Sequence, residues 1–353
     1  MQGHEQTSVW RTGPSGLMAA LLVAIFGGLL VGLSGCGEQA VTQRTSGPGE
    51  PLPDDARVVV SIPPLAGLVQ PLLPEGVEII TLLEAGQSAH GWEPTPGAVA
   101  SIKRADVVVL VGMGLEPRIE QILDGDLPND PMILRMSDML GLGEGHLHVH
   151  KDGDAHAHTC STCGTGGDPH LWLDPVLAAR FVRSAGPILS TPDRQSAWVA
   201  RIEALEQELA QTLAPVRGKA IVSHHAAFGR LADHYGLVVA EVLQPIESAE
   251  PTPGELASAI QTVNDGGIGV IFIEPQFSPA AAEFVASATG VRLARLDPLG
   301  SGDWIETVRA IGETIARELA AEPVQPEPVQ SEPVQSEPAQ PEPAQTGQAA
   351  ARG

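Results

Sequence analysis

The chain has few aromatic and few basic residues, and both shortages exclude classes of function. Aromatic residues make up only 3% of its 353 positions, which argues against a surface that stacks bases or sugars. Lysine and arginine number 20 against 43 acidic residues, so the formal net charge is −23. A polyanion of this size repels nucleic acid and anionic lipid headgroups, whereas it tolerates cations. We therefore expect no nucleic-acid partner, although the charge by itself indicates no more than solubility.

An apolar segment near the N-terminus predicts export from the cytoplasm. Residues 16–35 read GLMAALLVAIFGGLLVGLSG, and Cys36 follows directly before the chain turns polar. That ending resembles a bacterial lipobox, in which the cysteine is acylated and becomes the mature N-terminus. A run of about 20 apolar residues could also be an uncleaved membrane anchor. Both interpretations place the rest of the chain outside the cytoplasm, tethered to a membrane.

Composition divides the chain into a folded part and low-complexity ends. After a signal peptide of residues 1–36, residues 37–55 are rich in Gly, Pro, Gln and Glu, which is typical of a flexible tether. Residues 322–353 contain five EPxQx repeats, whose prolines block helix and sheet ladders. We interpret them as a disordered tail, either a spacer or a solvated end without a partner. The folded part should comprise residues 56–321.

Short apolar runs alternate with helical patterns across this folded part. Four runs rich in β-branched residues lie on each side of a helical stretch at residues 175–216, and such runs suit buried parallel strands. Asp193 is the candidate N-cap for the second part of that stretch. The predicted fold is α/β: two lobes of parallel β-sheet, at residues 56–174 and 217–321, flanked by helices and linked by one long helix. The predicted strands are Val58–Ile62, Val77–Leu83, Asp106–Val111, Met132–Arg135, Lys219–Ser223, Leu237–Leu243, Ile268–Ile273 and Val291–Leu296.

Polar side chains follow several of these strands where each one ends. His90 follows the second strand by a short loop, His225 the fifth, Glu274 the seventh and Asp297 the eighth, while His170 precedes the helical stretch. Open α/β sheets bind ligands outside the carboxyl ends of their strands. Three imidazoles and a carboxylate would suit a tetrahedral zinc ion. The spacing matches no short metal motif, so each side chain taken singly is equally explained by hydrogen bonding or helix capping.

Six segments occur in the order SAHGWEPTP, DPHLWLDP, SHHAAFGRLADHYGL, IESAEPTPGEL, IFIEPQFS and LDPLG. Together they resemble the zinc/manganese-binding solute receptors of ABC importers, the ZnuA/TroA-like family. The resemblance covers residues 57–321 and implies two α/β lobes joined by a rigid long helix, with metal held between them. It further implies a membrane permease as partner. We expect a monomeric extracytoplasmic protein that captures Zn²⁺ and delivers it to that permease.

The resemblance also implies a set of metal ligands. The family's ligands correspond to His90, His170, His225 and Asp297. The third ligand position is occupied by His225, whereas manganese receptors tend to have glutamate there. Histidine at this position indicates zinc and agrees with the preference of that ion for nitrogen. Ala89 departs from some zinc receptors, which carry glutamate there, so Asp297 or water would be the fourth ligand. Glu274 is expected to have a structural role.

A second candidate metal site lies in the Gly-rich loop at residues 141–167. Clustered histidine and cysteine chelate soft or borderline cations. The loop resembles the His-rich, acidic loop of zinc receptors, which lies before the DPHLWLDP segment as it does here. Its cysteine pair could instead form a disulfide outside the cytoplasm, and the loop could be an insertion without an essential role. The candidate ligands are His146, His148, His150, His156, His158, Cys160 and Cys163.

Other functions use the same residues. The alternatives are a manganese receptor of this family, a periplasmic zinc buffer, a surface adhesin and a zinc hydrolase. A hydrolase needs an open water position on the metal and a general base. Glu274 is the candidate base, but the sequence contains no HExxH motif. We therefore expect a binding protein and not an enzyme.

Overall fold

A computed structural model describes residues 52–84, 86–142, 167–245 and 249–321. The signal peptide with Cys36, most of the tether, the repeat tail, and the loop ligands predicted between His146 and Cys163 lie outside these ranges and stay predictions. Within the described residues, no helix combines the length and the apolar character that crossing a membrane requires.

Two four-stranded parallel sheets form the centres of two lobes. The strands are β1 (Arg57–Val60), β2 (Glu78–Thr81), β3 (Val107–Leu110), β4 (Met132–Arg135), β5 (Ala220–Ser223), β6 (Val238–Val242), β7 (Val270–Ile273) and β8 (Arg292–Arg295). The first sheet has the order β2-β1-β3-β4 and the second the order β6-β5-β7-β8, so both lobes share one topology. The predicted α/β fold is confirmed, and each predicted strand ends within two residues of an observed one.

Helices cover the sheets and connect them. They are α1 (Pro63–Val69), α2 (Pro96–Arg104), α3 (Pro117–Leu123), α4 (Met136–Leu140), α5 (Pro175–Leu189), α6 (Pro192–Leu213), α7 (Gly229–Tyr235), α8 (Pro253–Gly266), α9 (Ala280–Thr289) and α10 (Trp304–Ala320). Helix α8 begins with a capping box, in which the side chains of Thr252 and Glu255 each accept a hydrogen bond from the other's backbone N–H.

The helical stretch predicted between the lobes, at residues 175–216, contains two consecutive helices. Ser190 is extended, with φ −149° and ψ 172°, and so ends α5. Thr191 then caps α6 by accepting a hydrogen bond from the N–H of Arg194. Pro192 follows at the first helical position of α6, where its missing backbone N–H costs nothing. Proline could not have continued the preceding helix α5, because a helix interior needs that N–H as a donor. Asp193 therefore lies in the first turn of α6, and its prediction as the N-cap was wrong.

One apolar core runs through both lobes and the connecting helices. It includes Phe181 of α5, Trp198 of α6 and Trp304 of α10, all buried. The last helix returns to the first lobe and packs against α1 and α6. Gly67 of α1 permits this approach, because a Cβ there would come within 2.4 Å of the Gly302 carbonyl oxygen. The two sheets are therefore held by shared packing and not by a loose linker.

Candidate metal centre

His225 lies just beyond the end of β5, held by hydrogen bonds that extend the second sheet. The N–H of His224 donates to the carbonyl of Phe272 at 2.8 Å, and the N–H of Gln244 donates to the carbonyl of His224 at 2.8 Å. The Ser223 hydroxyl donates to the carbonyl of His225, also at 2.8 Å. The His225 side chain is buried, so its ring sits at the carboxyl end of the sheet, where α/β proteins bind ligands.

His170 is fixed by the aspartate two residues before it. Asp168 Oδ1 accepts the backbone N–H of His170 at 2.9 Å and approaches its ring Nδ1 at 2.8 Å. Because a carboxylate only accepts, Nδ1 carries the proton and Nε2 presents its lone pair. Burial raises the pKa of Asp168, but the hydrogen bonds from His170 and the charges of His170 and Arg230 together outweigh burial and leave the pKa below its usual value. Arg230 of α7 donates to the Asp168 carbonyl at 2.7 Å, which ties this segment to the second lobe.

His90 comes from the first lobe, in the loop between β2 and α2. Its backbone N–H donates to the Ser88 hydroxyl at 3.3 Å. Trp92, two residues later, packs against the apolar clusters on both faces of the first sheet. The loop is thereby anchored on each side of a partly buried imidazole.

The three imidazoles converge on one point. One ring nitrogen from each of His90, His170 and His225 lies within 4.8 Å of the other two. Nε2 of His225 is 3.3 Å from Nε2 of His90. The ring centroids are 5.1–5.6 Å apart with planes crossed by 59–75°, so the rings do not stack but direct nitrogens inward. In the part of the chain that the structure describes, no other group of three His, Cys, Asp or Glu side chains has this geometry.

Burial keeps two of these rings neutral. Loss of solvation, together with the neighbouring His170, lowers the pKa of His90 to about 4. The same causes, with His90 added, lower the pKa of His225 to about 3. A neutral imidazole offers a lone pair to a metal, whereas an imidazolium does not. At neutral pH the cluster can therefore accept a divalent cation without first releasing protons from these two rings.

Two indoles connect the His170 segment to the loop that follows β8. Trp172 Nε1 donates to the carbonyl of Pro298 at 2.7 Å. Trp304 Nε1 in turn donates to the carbonyl of Trp172 at 2.8 Å. Both rings are buried, and both hydrogen bonds bridge segments more than 120 residues apart. The wall of the site is consequently built from segments that lie far apart in the sequence.

The two carboxylates that follow β7 and β8 lie in different settings. Glu274 is buried and lines the pocket that contains the three rings. Asp297 follows β8, and its Oδ1 accepts hydrogen bonds from Gln276 Nε2 at 2.7 Å and from the N–H of Leu299 at 3.1 Å. Neither carboxylate belongs to the cluster of imidazoles. The structure thus brings together three of the four predicted ligands, and the role of Asp297 as the fourth stays a prediction.

Asp168 and Gln276 belong to the site but carried no role in the sequence interpretation. The signal for Asp168 was present, because an aspartate readily hydrogen-bonds to the backbone two residues later. Gln276 had no such signal, since its neighbourhood arises only when the loops after β7 and β8 meet.

Comparison with known proteins gives consistent matches. A family model described as "Zinc-uptake complex component A periplasmic" matches residues 58–318. The high-affinity zinc uptake system protein ZnuA of Paracoccus denitrificans is 30% identical over 302 residues, covering 75% of this chain and 92% of that protein. The zinc-binding lipoprotein AdcA of Streptococcus pneumoniae is 30% identical over 259 residues, covering 69% of this chain. The chain spans about half the length of this streptococcal relative, 50%.

The fold has close counterparts among solved structures. A ZnuA deletion mutant with zinc bound superposes with a TM-score of 0.62 at 26% identity, covering 76% of this chain and 100% of that one. The similarity extends over nearly all of the residues that form the two lobes described above.

Proposed function

This chain belongs to the ZnuA family of periplasmic zinc-uptake components, and on that premise we propose that it captures Zn²⁺ between its lobes and delivers it to the permease of an ABC importer. The observation that carries the proposal is the convergence of His90, His170 and His225 from three separate segments. Three nitrogen donors in a buried, largely apolar setting suit zinc, which favours imidazole and four-coordinate geometry.

Each residue of the site has a distinct role in this proposal. The three imidazoles replace most of the water shell of the ion, and Asp297 or a water supplies the fourth position. Asp168 keeps Nδ1 of His170 protonated, so that Nε2 faces the ion. The Trp172 indole holds the His170 segment against the Pro298 carbonyl. Delivery then requires only that the permease separates these segments.

Zinc is favoured over manganese by the donor set. Harder ions such as Mn²⁺ prefer carboxylate and water oxygens, whereas imidazole suits zinc. The relatives named above are called zinc-binding or zinc-uptake proteins. Both considerations support Zn²⁺ as the cargo.

The finer localisation is part of the proposal. We propose that Cys36 is acylated and that the lipid tethers the chain outside the cytoplasm. Labelling of cells with a clickable fatty acid should mark the wild-type chain and leave Cys36→Ala unlabelled. Equal labelling of both would contradict the lipid anchor but leave the metal site untouched.

The role in uptake is tested by growth. In the source organism with this gene deleted, zinc-limited growth should be restored by the wild-type chain and not by His225→Ala. His234→Ala is a matched control, because this half-buried histidine of α7 lies outside the cluster. Rescue by His225→Ala would contradict zinc delivery through this site. Failure of the wild-type chain to rescue would favour a zinc buffer or an adhesin.

A further inference from the structure

Gln276 lines the same pocket as the three imidazoles and contacts Asp297. Its side-chain amide lies 2.7 Å from Asp297 Oδ1. Because carboxylate oxygens accept hydrogen bonds, the amide atom at that distance must be the nitrogen, and this fixes which way the amide faces. The carbonyl oxygen Oε1 of Gln276 therefore points away from Asp297 Oδ1. That oxygen is buried and has no hydrogen-bond partner among the described residues.

A buried carbonyl oxygen without a partner is uncommon in folded proteins, because water is lost without compensation. Such an atom in a binding pocket indicates a ligand that brings a hydrogen-bond donor with it. A divalent ion accompanied by one of its own water ligands meets this requirement, since the water is polarised by the ion and donates strongly.

Asp297 is held from two sides through one oxygen. Both of its hydrogen bonds within the described part of the chain, from Gln276 Nε2 and from the N–H of Leu299, end on Oδ1. Oδ2 is thereby left for another partner. The carboxylate cannot rotate freely, because rotation would break both bonds at once. Gln276 is thus one of two donors that hold the predicted ligand outside the imidazole cluster.

We propose that Gln276 is a positioning residue that couples Asp297 to the fourth coordination position of the ion. Its Nε2 orients the carboxylate so that Oδ2 faces a water at the fourth position, and its Oε1 accepts a second hydrogen bond from that water. This inference rests on the proposed zinc-binding function and adds to it a residue that acts on the metal through another residue.

The test is a double-mutant cycle on the full-length chain in detergent. Zinc dissociation constants are measured at pH 7 by chelator competition for the wild type, Gln276→Leu, Asp297→Asn and the double variant. Gln276→Leu should weaken zinc binding about 10- to 100-fold, as removal of a partner of a metal ligand does. In the Asp297→Asn background the same change should cost less than about threefold, because residues that act as a unit are not additive.

A spectroscopic measurement separates positioning from stability. Co²⁺ bound in place of zinc reports the ligand arrangement through its visible absorption, and this spectrum should change in Gln276→Leu. Gln261→Leu is the matched control, because Gln261 donates to Asp265 at 3.3 Å on the exposed side of α8, outside the pocket. It should keep the wild-type affinity and spectrum. If Gln276→Leu does not fold, Gln276→Asn replaces it, since it keeps the amide but is too short to hold Asp297.

Wild-type affinity with a wild-type cobalt spectrum in the folded Gln276 variant would overturn the inference. Full additivity in the double variant would also overturn it, since Gln276 would then act independently of Asp297. Failure of the proposed function is distinguishable from failure of this inference. In that case the wild-type chain itself would bind zinc weakly, or the chain with His90, His170 and His225 all changed to alanine would still bind zinc tightly.

Discussion

Asp168 Oδ1 lies 2.8 Å from Nδ1 of His170, and the same oxygen accepts the backbone N–H of His170 at 2.9 Å. One carboxylate oxygen therefore fixes both the backbone and the ring orientation of a histidine in the candidate metal centre. The arrangement selects the tautomer in which Nε2 is free to bind a cation.

Asp168→Asn should weaken zinc binding about 10- to 100-fold, because the uncharged amide is a poorer acceptor and can present its NH₂ group to Nδ1 instead. Chelator competition at pH 7 measures the change. Asp193→Asn, in the exposed first turn of α6, is the control and should bind zinc as the wild type does. Equal affinity of Asp168→Asn and Asp193→Asn would show that Asp168 does not orient the ring.

Removal of any one of the three imidazoles should weaken zinc binding more than removal of a residue that only supports one of them, such as Asp168. His90→Ala, His170→Ala and His225→Ala should each lose more than about 100-fold in zinc affinity, which exceeds the loss expected for a residue that only supports a ligand. His234→Ala should bind normally, since its ring nitrogens face Asp174 and Glu206 at 3.8 and 3.4 Å and not the cluster. A tight zinc site that survives in all three alanine variants would contradict the assignment.

The indole of Trp172 should matter to zinc as well as to folding. Trp172→Phe keeps a ring in the core but leaves the Pro298 carbonyl without its donor, which costs about 1–3 kcal/mol of unfolding free energy. Trp198→Phe is a matched variant, because its indole donates to the Leu68 carbonyl at 2.9 Å, away from the site. Urea unfolding should show comparable losses in both, whereas zinc titration should show weaker binding only in Trp172→Phe. Equal zinc affinities would mean that the Trp172–Pro298 bond does not shape the site.

Buried Glu116 should make the stability of the apoprotein depend on pH. Its carboxylate accepts hydrogen bonds from the Ser61 hydroxyl and from the N–H groups of Val111 and Gly112, at 2.7, 2.8 and 3.0 Å. Burial nevertheless raises the pKa of Glu116 from 4.5 to about 7. The folded state then binds more protons than the unfolded state between these values. The contribution of Glu116 to the unfolding free energy is therefore lost as pH rises through that window.

Glu116→Gln removes the titration, so the two proteins should diverge with pH. The unfolding free energy of the wild type minus that of the variant should fall by about 3 kcal/mol between pH 4.5 and pH 8. Taking the difference at each pH cancels the titration of other groups, including His90 and His225. Urea unfolding of both apoproteins measures it, and a difference that stays level or rises with pH would contradict the buried, protonated carboxyl.

The sequence predicted the strands well because their signal is local. Runs such as Val107–Leu110 are β-branched, short and bounded by polar or turn residues, and these features persist in any fold that buries them. The start of the second linking helix was placed two residues late, at Asp193, although Thr191-Pro192 is a helix-start signal, because apolar periodicity continues across the break.

The site was predictable only where one residue type carries the chemistry. His90 and His225 could be singled out because imidazole at the end of a strand suits a metal, and His170 because its segment DPHLWLDP resembles one in zinc receptors. Gln276 could not, since an amide has no chemistry of its own until the fold places it against Asp297.

The most direct measurement is a chelator-competition titration of the apoprotein with Zn²⁺ and Mn²⁺, before and after deletion of loop residues 145–164. The account predicts that one tight zinc site, with weak manganese binding, survives the deletion and disappears when His90 and His225 are both changed to alanine. If no tight site remains once the loop is deleted, the His/Cys-rich loop is the binder and the inter-lobe assignment is wrong.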